Sequence, residues 1–148
     1  MHNGMLQLDG VKMSKSLGNL VLARHLMAEF EPDQLRLYLL SQHYRTDANY
    51  HNGDLLALGP RYERLKAAVA KAEGTAADLA VVASARAALN DDFDTPAALH
   101  VLDDAATRVL AGGAAPGEAE ALREILSVLG FAFAGARGPA TGHLSPVL

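Results

Sequence analysis

The stretch best equipped for chemistry is Lys12-Met13-Ser14-Lys15-Ser16-Leu17-Gly18-Asn19. Two lysines stand three residues apart, accompanied by two serines and a glycine, just ahead of a segment with helical character. That set suits a polyphosphate. Lysine ammoniums neutralise charge, serine hydroxyls and freed backbone N–H groups donate hydrogen bonds, and a following helix N-terminus adds a favourable dipole. Where pyrophosphate is expelled, negative charge grows on the phosphates in the transition state. A preplaced lysine lowers that barrier, and losing one such donor costs about 3–4 kcal/mol. A basic surface turn has the same composition, so residue types alone leave both readings standing.

A second group is basic and aromatic: Tyr44, Arg45, Arg61, Arg64 and Lys66, with Lys71 beyond. Such a region could track RNA phosphates, with affinity that falls as salt rises. The alternative is a solvated arginine face with Tyr62 on the apolar side. Histidines 2, 25, 43, 51, 100 and 143 do not form a metal-like pair and read as surface or capping residues. The chain has no cysteine, which excludes disulfides, thiolate metal sites and a cysteine nucleophile. No metal site is expected.

These residues need elements to position them. The chain has 148 residues, half of them hydrophobic and a fifth charged, as in a soluble globular protein. That length is too short for a complete doubly wound nucleotide-binding enzyme with its substrate domain. Nothing resembles a signal-peptide core and no apolar run approaches membrane-spanning length, so a cytoplasmic location with no membrane partner is expected. The net charge of −4 argues against a DNA-binding protein. The charge is uneven: residues 1–75 hold nine Lys/Arg against eight Asp/Glu, and residues 76–148 hold four against nine. Any polyanion would be met by the N-terminal half.

The fold class is read as mainly α: a short Gly-rich loop and strand segment, then an antiparallel bundle of about five helices. Met5 to Leu8 reads as strand, with a turn at Asp9-Gly10. Helices are expected over Leu22 to Phe30 and over Pro32 to about His43, the second apolar nearly all round. Arg45 to Gly53 reads as a polar loop. A short helix over Asp54–Leu58 stops at Gly59-Pro60, which opens a helix ending at Gly74 with Tyr62, Leu65, Val69 and Ala72 on one face. The next helix is expected to bury Leu79, Val82, Ala83, Arg86 and Leu89. Thr95-Pro96 reads as a cap and start signal for a helix with the stripe Leu99, Leu102, Ala106 and Val109. A last helix, Gly117 to Leu129, carries Leu122, Ile125, Leu126 and Leu129. Three segments result: 1–45 with the lysine loop, 46–133 helical, and a flexible tail 134–148.

The complete string Lys12 to Ser16 resembles the KMSKS signature of class I aminoacyl-tRNA synthetases. Met1-His2-Asn3-Gly4 and Leu8-Asp9-Gly10-Val11 resemble the run-up to it in the cysteinyl family. Asp33-Gln34-Leu35-Arg36, followed by Leu39-Leu40-Ser41-Gln42-His43-Tyr44-Arg45, resembles the start of that family's helical tRNA-contact region, including its DALR-type element. Asp91-Asp92-Phe93-Asp94-Thr95-Pro96 resembles a further segment downstream. The resemblance covers roughly residues 1–130. It implies ATP-dependent activation of cysteine with magnesium, and transfer to a cysteine-specific tRNA. It also implies that Lys12 and Lys15 contact ATP phosphates, Lys15 foremost, with Met13, Ser14 and Ser16 shaping the loop. Tyr44, Arg45, Arg61, Arg64 and Lys66 become tRNA-binding candidates.

The family also carries an HxGH signature and a zinc site with cysteine ligands; neither is present here. Leu22 and His25 stand where the family has a Ser or Thr cap and an Asp, and a missing cap costs about 1 kcal/mol. Pro60 falls where the family runs a continuous helix. The expected function is therefore part of a cysteine–tRNA ligase, inactive alone, with an N-terminal half supplied by a separate chain or lost. The alternatives are a stand-alone tRNA- or RNA-binding helical module, and part of a ligase joining cysteine to an amino sugar. The His43-Tyr44-Arg45 segment favours the tRNA enzyme. An oligomerising helical bundle would leave the signature unexplained.

Overall fold

Two consecutive left-handed residues start the architecture. Asp9 and Gly10 have φ of 51° and 78°, the conformation a two-residue hairpin turn requires. They join β1 (Leu6–Leu8) to β2 (Val11–Lys12), antiparallel, with Gln7 opposite Lys12 and Leu8 opposite Val11. The computed structural model describes residues 2–133 of the chain. After the hairpin come α1 (Ala23–Leu26), α2 (Pro32–Leu40), β3 (Ala48–Tyr50), α3 (Asn52–Ala57), α4 (Gly59–Val69), α5 (Leu79–Asn90), α6 (Thr95–Ala111) and α7 (Glu118–Val128). The described chain is mainly α, with a small sheet of order β2-β1-β3. The tail expected over 134–148 lies outside the described residues.

β3 corrects the expectation of a loop over Arg45 to Gly53. It pairs parallel with β1, Leu6 against Ala48 and Leu8 against Tyr50. A three-residue strand with one buried side chain carries no alternation to read, and its partner lies far upstream. Gly4 makes the approach possible. Its N–H donates to the Tyr44 carbonyl at 2.8 Å, and the Met5 N–H donates to Asp47 Oδ1 at 2.7 Å. A Cβ on Gly4 would overlap the Thr46 backbone carbonyl.

Local signals set several helix ends. α1 is shorter than expected because Leu22 supplies no side-chain cap and the helix buries nothing; a single turn without packing is marginal. α2 stops at Leu40 rather than near His43, and the Ser41 hydroxyl donates to the Leu37 carbonyl at 2.7 Å. Its surroundings are also uneven: Leu37 and Tyr38 are buried, whereas Leu39 is 62% exposed. Leu58 ends α3, and Gly59-Pro60 opens α4 as expected, but α4 ends at Val69. Asp78 caps α5 by accepting from the Ala80 and Val81 N–H groups at 2.8 and 3.0 Å. The buried face of α5 is Val81, Val82 and Ala85; of the expected stripe Val82 is buried, whereas Leu79 is 80% exposed and Ala83 and Arg86 are exposed too. In an alanine-rich helix small residues mark no face, and the packing partners decide. At α6 the cap is Asp94, accepting from the Ala97 N–H at 2.9 Å. Thr95, expected as the cap, instead donates its hydroxyl to the Leu40 carbonyl at 2.8 Å. The α6 stripe is buried throughout, as are Leu122, Ile125 and Leu126 of α7.

Two cores result. The larger joins α2, α4, α5, α6 and α7, the five helices expected, around Leu65, Leu99, Leu102, Leu122 and Leu126. The smaller packs Phe30, Tyr38, Tyr50 and Leu55 against Leu8, Met13, Val21 and Leu26. Among the described residues no helix is long and apolar enough to cross a membrane.

Gly4→Ala is expected to lower stability by about 1–3 kcal/mol through overlap with rigid backbone. A denaturant midpoint equal to the parent's would contradict the close approach. Asp78→Ala should cost about 1 kcal/mol through loss of the α5 cap, read as a lower thermal midpoint at neutral pH.

Candidate functional site

The lysine loop leaves the sheet at Lys12, the last residue of β2. The Met13 N–H extends the hairpin ladder by donating to the Leu6 carbonyl at 3.2 Å. Its side chain packs into the smaller core and anchors the loop's first leg. The Ser14 N–H donates to Asn19 Oδ1 at 2.9 Å, and Asn19 Nδ2 donates to the Lys12 carbonyl at 3.1 Å. The Ser14 and Ser16 hydroxyls lie 3.2 Å apart, and the Leu17 N–H donates to Ser14 Oγ at 3.3 Å. Gly18, at φ 65°, closes the turn by donating to the Lys15 carbonyl at 3.2 Å. Both lysines are exposed. Among the described residues neither has a carboxylate within salt-bridge distance.

The geometry therefore offers two ammonium groups with no carboxylate partner among the described residues, on a loop that Ser14 helps to shape. The expected helix dipole is corrected. The following helix contributes little, because α1 is a single turn beginning only at Ala23. Sequence reasoning also gave Asn19 no role. An amide closing a Ser/Lys loop was the available signal.

The basic and aromatic candidates Tyr44, Arg45, Arg61, Arg64 and Lys66 divide into groups, each held by a carboxylate, whereas Lys71 has none within salt-bridge distance among the described residues. Asp92 takes Tyr44 and Arg45: the Tyr44 hydroxyl donates to Oδ1 at 2.6 Å, and the Arg45 guanidinium spans both oxygens, with Nη2 at 2.8 Å. The Tyr44 ring stacks on His43 at 4.9 Å, and Arg45 lies 5.0 Å from its centroid. Hydrogen bonds from Arg45 and then Tyr44 hold the Asp92 carboxyl well below the usual carboxylate range. The same bond to Asp92 pushes the Tyr44 hydroxyl up. Asp92 and Phe93 themselves sit at φ 51° and 55°, so the loop is bent to deliver this carboxylate. Asp103 takes Arg61 and Arg64, at 2.6 and 3.0 Å. Glu31 takes Lys66 at 3.3 Å and also accepts from the buried Tyr62 hydroxyl. Burial and this bond to Glu31 push the Tyr62 hydroxyl far above its ordinary value.

Beside the loop lies an apolar cavity of about 180 Å³, lined by Leu6, Met13, Val21, Leu26, Leu35 and Tyr38 among others. Its two tyrosines already have partners: Tyr38 donates to the Asn49 carbonyl at 3.3 Å and Tyr50 to Asn52 Oδ1 at 3.1 Å. The cavity is a gap in the small core rather than a nucleotide pocket. Among the described residues no group of three or more His, Asp or Glu is placed to hold a metal ion. The described residues supply no ligand set for zinc.

Residues 1–58 match the family described as tRNA synthetases class I (C), catalytic domain. An L-cysteine:1D-myo-inositol 2-amino-2-deoxy-alpha-D-glucopyranoside ligase of Streptosporangium roseum is 43% identical over 129 residues, covering 86% of this chain and 31% of that protein. A cysteine–tRNA ligase of Anaeromyxobacter sp. (strain K) is 44% identical over 113 residues, covering 72% of this chain and 24% of that protein. A cysteine–tRNA ligase of Shewanella sp. (strain MR-4) is 41% identical over 107 residues, covering 70% and 23%. The chain thus spans less than a third of the length of these curated relatives. With the complete lysine signature inside the matched catalytic-domain segment, and with these ligases aligned over more than two thirds of its length, the chain is cysteinyl-tRNA-synthetase-like.

Proposed function

We propose that this chain supplies the ATP-phosphate-contacting loop, and the helical region behind it, of an ATP-dependent cysteine ligase. The first reading of the acceptor is tRNA. The observation that carries the proposal is the exposed, unpaired state of Lys12 and Lys15 on a loop otherwise hydrogen-bonded within itself. An ordinary surface lysine is free but mobile. Here the backbone under both lysines is fixed by the hairpin, by Met13 and by Asn19, so their ammoniums are delivered to a defined region. ATP as its magnesium complex would lie against them. As the cysteine carboxylate attacks the α-phosphorus and pyrophosphate departs, Lys15 and Lys12 would stabilise the charge gathering on the leaving oxygens. Among the described residues the cavity beside the loop is apolar, and we assign the adenine site to residues outside it, such as those of a separate chain. Zinc has no ligand set among the described residues, and no step is derived through it.

The helical region is assigned to the acceptor. Tyr44, Arg45, Arg61, Arg64 and Lys66 remain the proposed tRNA contacts, on a changed physical basis. An RNA phosphate must share each cation with Asp92, Asp103 or Glu31, so each contact is weaker than a free cation would give. A specific observation favours a second reading. Three amino-sugar ligases align over 82–86% of the chain and a fourth over 69%, whereas the tRNA ligases align over 70–72%. Cysteine activation is common to both readings, and only the acceptor differs.

Lys15→Ala should slow cysteine-dependent ATP–pyrophosphate exchange by about tenfold or more. The assay uses a chimera in which this chain replaces the corresponding segment of a cysteine–tRNA ligase. Exchange at the parent rate would remove Lys15 from the mechanism. For the acceptor, a gel shift with tRNA should show a complex at about 50 mM salt that weakens steeply by about 200 mM. Combined Arg61→Ala and Arg64→Ala should reduce it further. No complex at the lower salt would turn the assignment to the amino sugar.

A further inference from the structure

At its base the phosphate loop closes through the Asn19 side chain. Asn19 lies outside the five-residue signature, yet its amide is the group that ties the loop's two legs together. Its Oδ1 accepts from the Ser14 N–H at 2.9 Å, and its Nδ2 donates to the Lys12 carbonyl at 3.1 Å. The two bonds use both ends of one planar amide. They fix the carbonyl of the first lysine and the N–H two residues later, on either side of Met13. Met13 is held independently by the ladder bond to Leu6 and by the smaller core. Three consecutive residues are thereby pinned, and Lys15 follows directly.

Besides Asn19, one other side chain reaches across the loop, nearer its tip. Ser14 Oγ holds the far leg through Leu17, and the Ser14–Ser16 contact stays inside the turn. Upstream, Asn49 plays a matching part. Its Oδ1 accepts from the Gly10 N–H at 2.8 Å and so fixes the hairpin turn before Lys12. The lysine segment is held between two asparagines, one on β3 and one at the loop's own exit. The type of side chain is specific. Aspartate could accept from Ser14 but has no donor for the Lys12 carbonyl, and serine is too short to span both legs.

We propose that Asn19 is a positioning residue for phosphate binding, which holds the backbone of Lys12 and Ser14 so that the Lys12 and Lys15 ammoniums converge on one polyphosphate. This rests on the phosphate reading of the loop given above. Asn19 touches no phosphate itself. Its effect passes through the lysines, and a misplacement of the order of 1 Å at such groups is costly.

The test uses the full chain and sodium tripolyphosphate as probe, with amide hydrogen exchange in parallel. Asn19→Ala should speed exchange at the Ser14 N–H by about tenfold or more while leaving β3 and the bundle unchanged. It should weaken tripolyphosphate binding by about tenfold, with no change in thermal midpoint. Asn19→Asp, which keeps the acceptor, should retain Ser14 protection. Parent-like tripolyphosphate affinity in Asn19→Ala, where Lys15→Ala loses it, would overturn the positioning role. Unchanged Ser14 exchange would overturn the clamp. Failure of the parent chain to bind tripolyphosphate would instead remove the phosphate reading, and with it the ligand half of the inference. The exchange result decides the clamp in either case.

Discussion

The structure depends on α2 being shared between two cores. Leu37 and Tyr38 are neighbours in sequence and both are buried, but in different places. Successive helical residues point about 100° apart, so one helix can offer a residue to each side. Leu37 enters the helical bundle. Tyr38 enters the small core, meets Tyr50 edge-on at 5.8 Å, and donates to the Asn49 carbonyl. The helix is also tied at both ends. Buried Asp33 accepts from the Phe133 N–H at 3.0 Å, and the Leu40 carbonyl accepts from Thr95. The nine-residue α2 thus joins the sheet that carries the lysine loop to the bundle, with the Tyr44 and Arg45 bonds to Asp92 as a second link.

The uneven charge of the two halves has a structural counterpart. The acidic excess of residues 76–148 is not a diffuse coat: Asp92 and Asp103 reach back to Arg45, Arg61 and Arg64 in the first half. Exposed ion pairs add little stability. Their value here is registry, since Asp92 also collects Tyr44 and is presented by two left-handed residues. The lysines of the loop are left out of this pairing. Arg45, Arg61, Arg64 and Lys66 each meet a carboxylate, whereas among the described residues Lys12 and Lys15, like Arg24, Arg36 and Lys71, have none within salt-bridge distance.

Legibility followed the range of the interaction. Asp9-Gly10, Gly59-Pro60 and the stripes of α6 and α7 act within a few residues, and the sequence shows them directly. The lysine loop was visible for the same reason, since all its internal bonds lie between Leu6 and Asn19. What stayed hidden was set by distant partners. β3 exists because β1 needs a neighbour. The buried face of α5 follows from the helices around it, and Thr95 leaves the cap to reach Leu40. The partners of the arginines stayed hidden because nothing local to them names Asp92 or Asp103. Asn19 is the exception: its partners are near, but a lone amide has too many ordinary roles for its spacing to single out one.

The parallel pairing of β1 with β3 has a consequence for how the protein forms. The hairpin of β1 and β2 can close as soon as it is made. The strand beside it arrives only after α2, and closing that intervening segment carries an entropic penalty that α2 must offset by packing. Gly4, Asn49 and Tyr50 all act across this closure. The loop's upstream anchor is therefore late in assembly, and a nascent chain halted before residue 50 would display the signature lysines on a hairpin without its third strand.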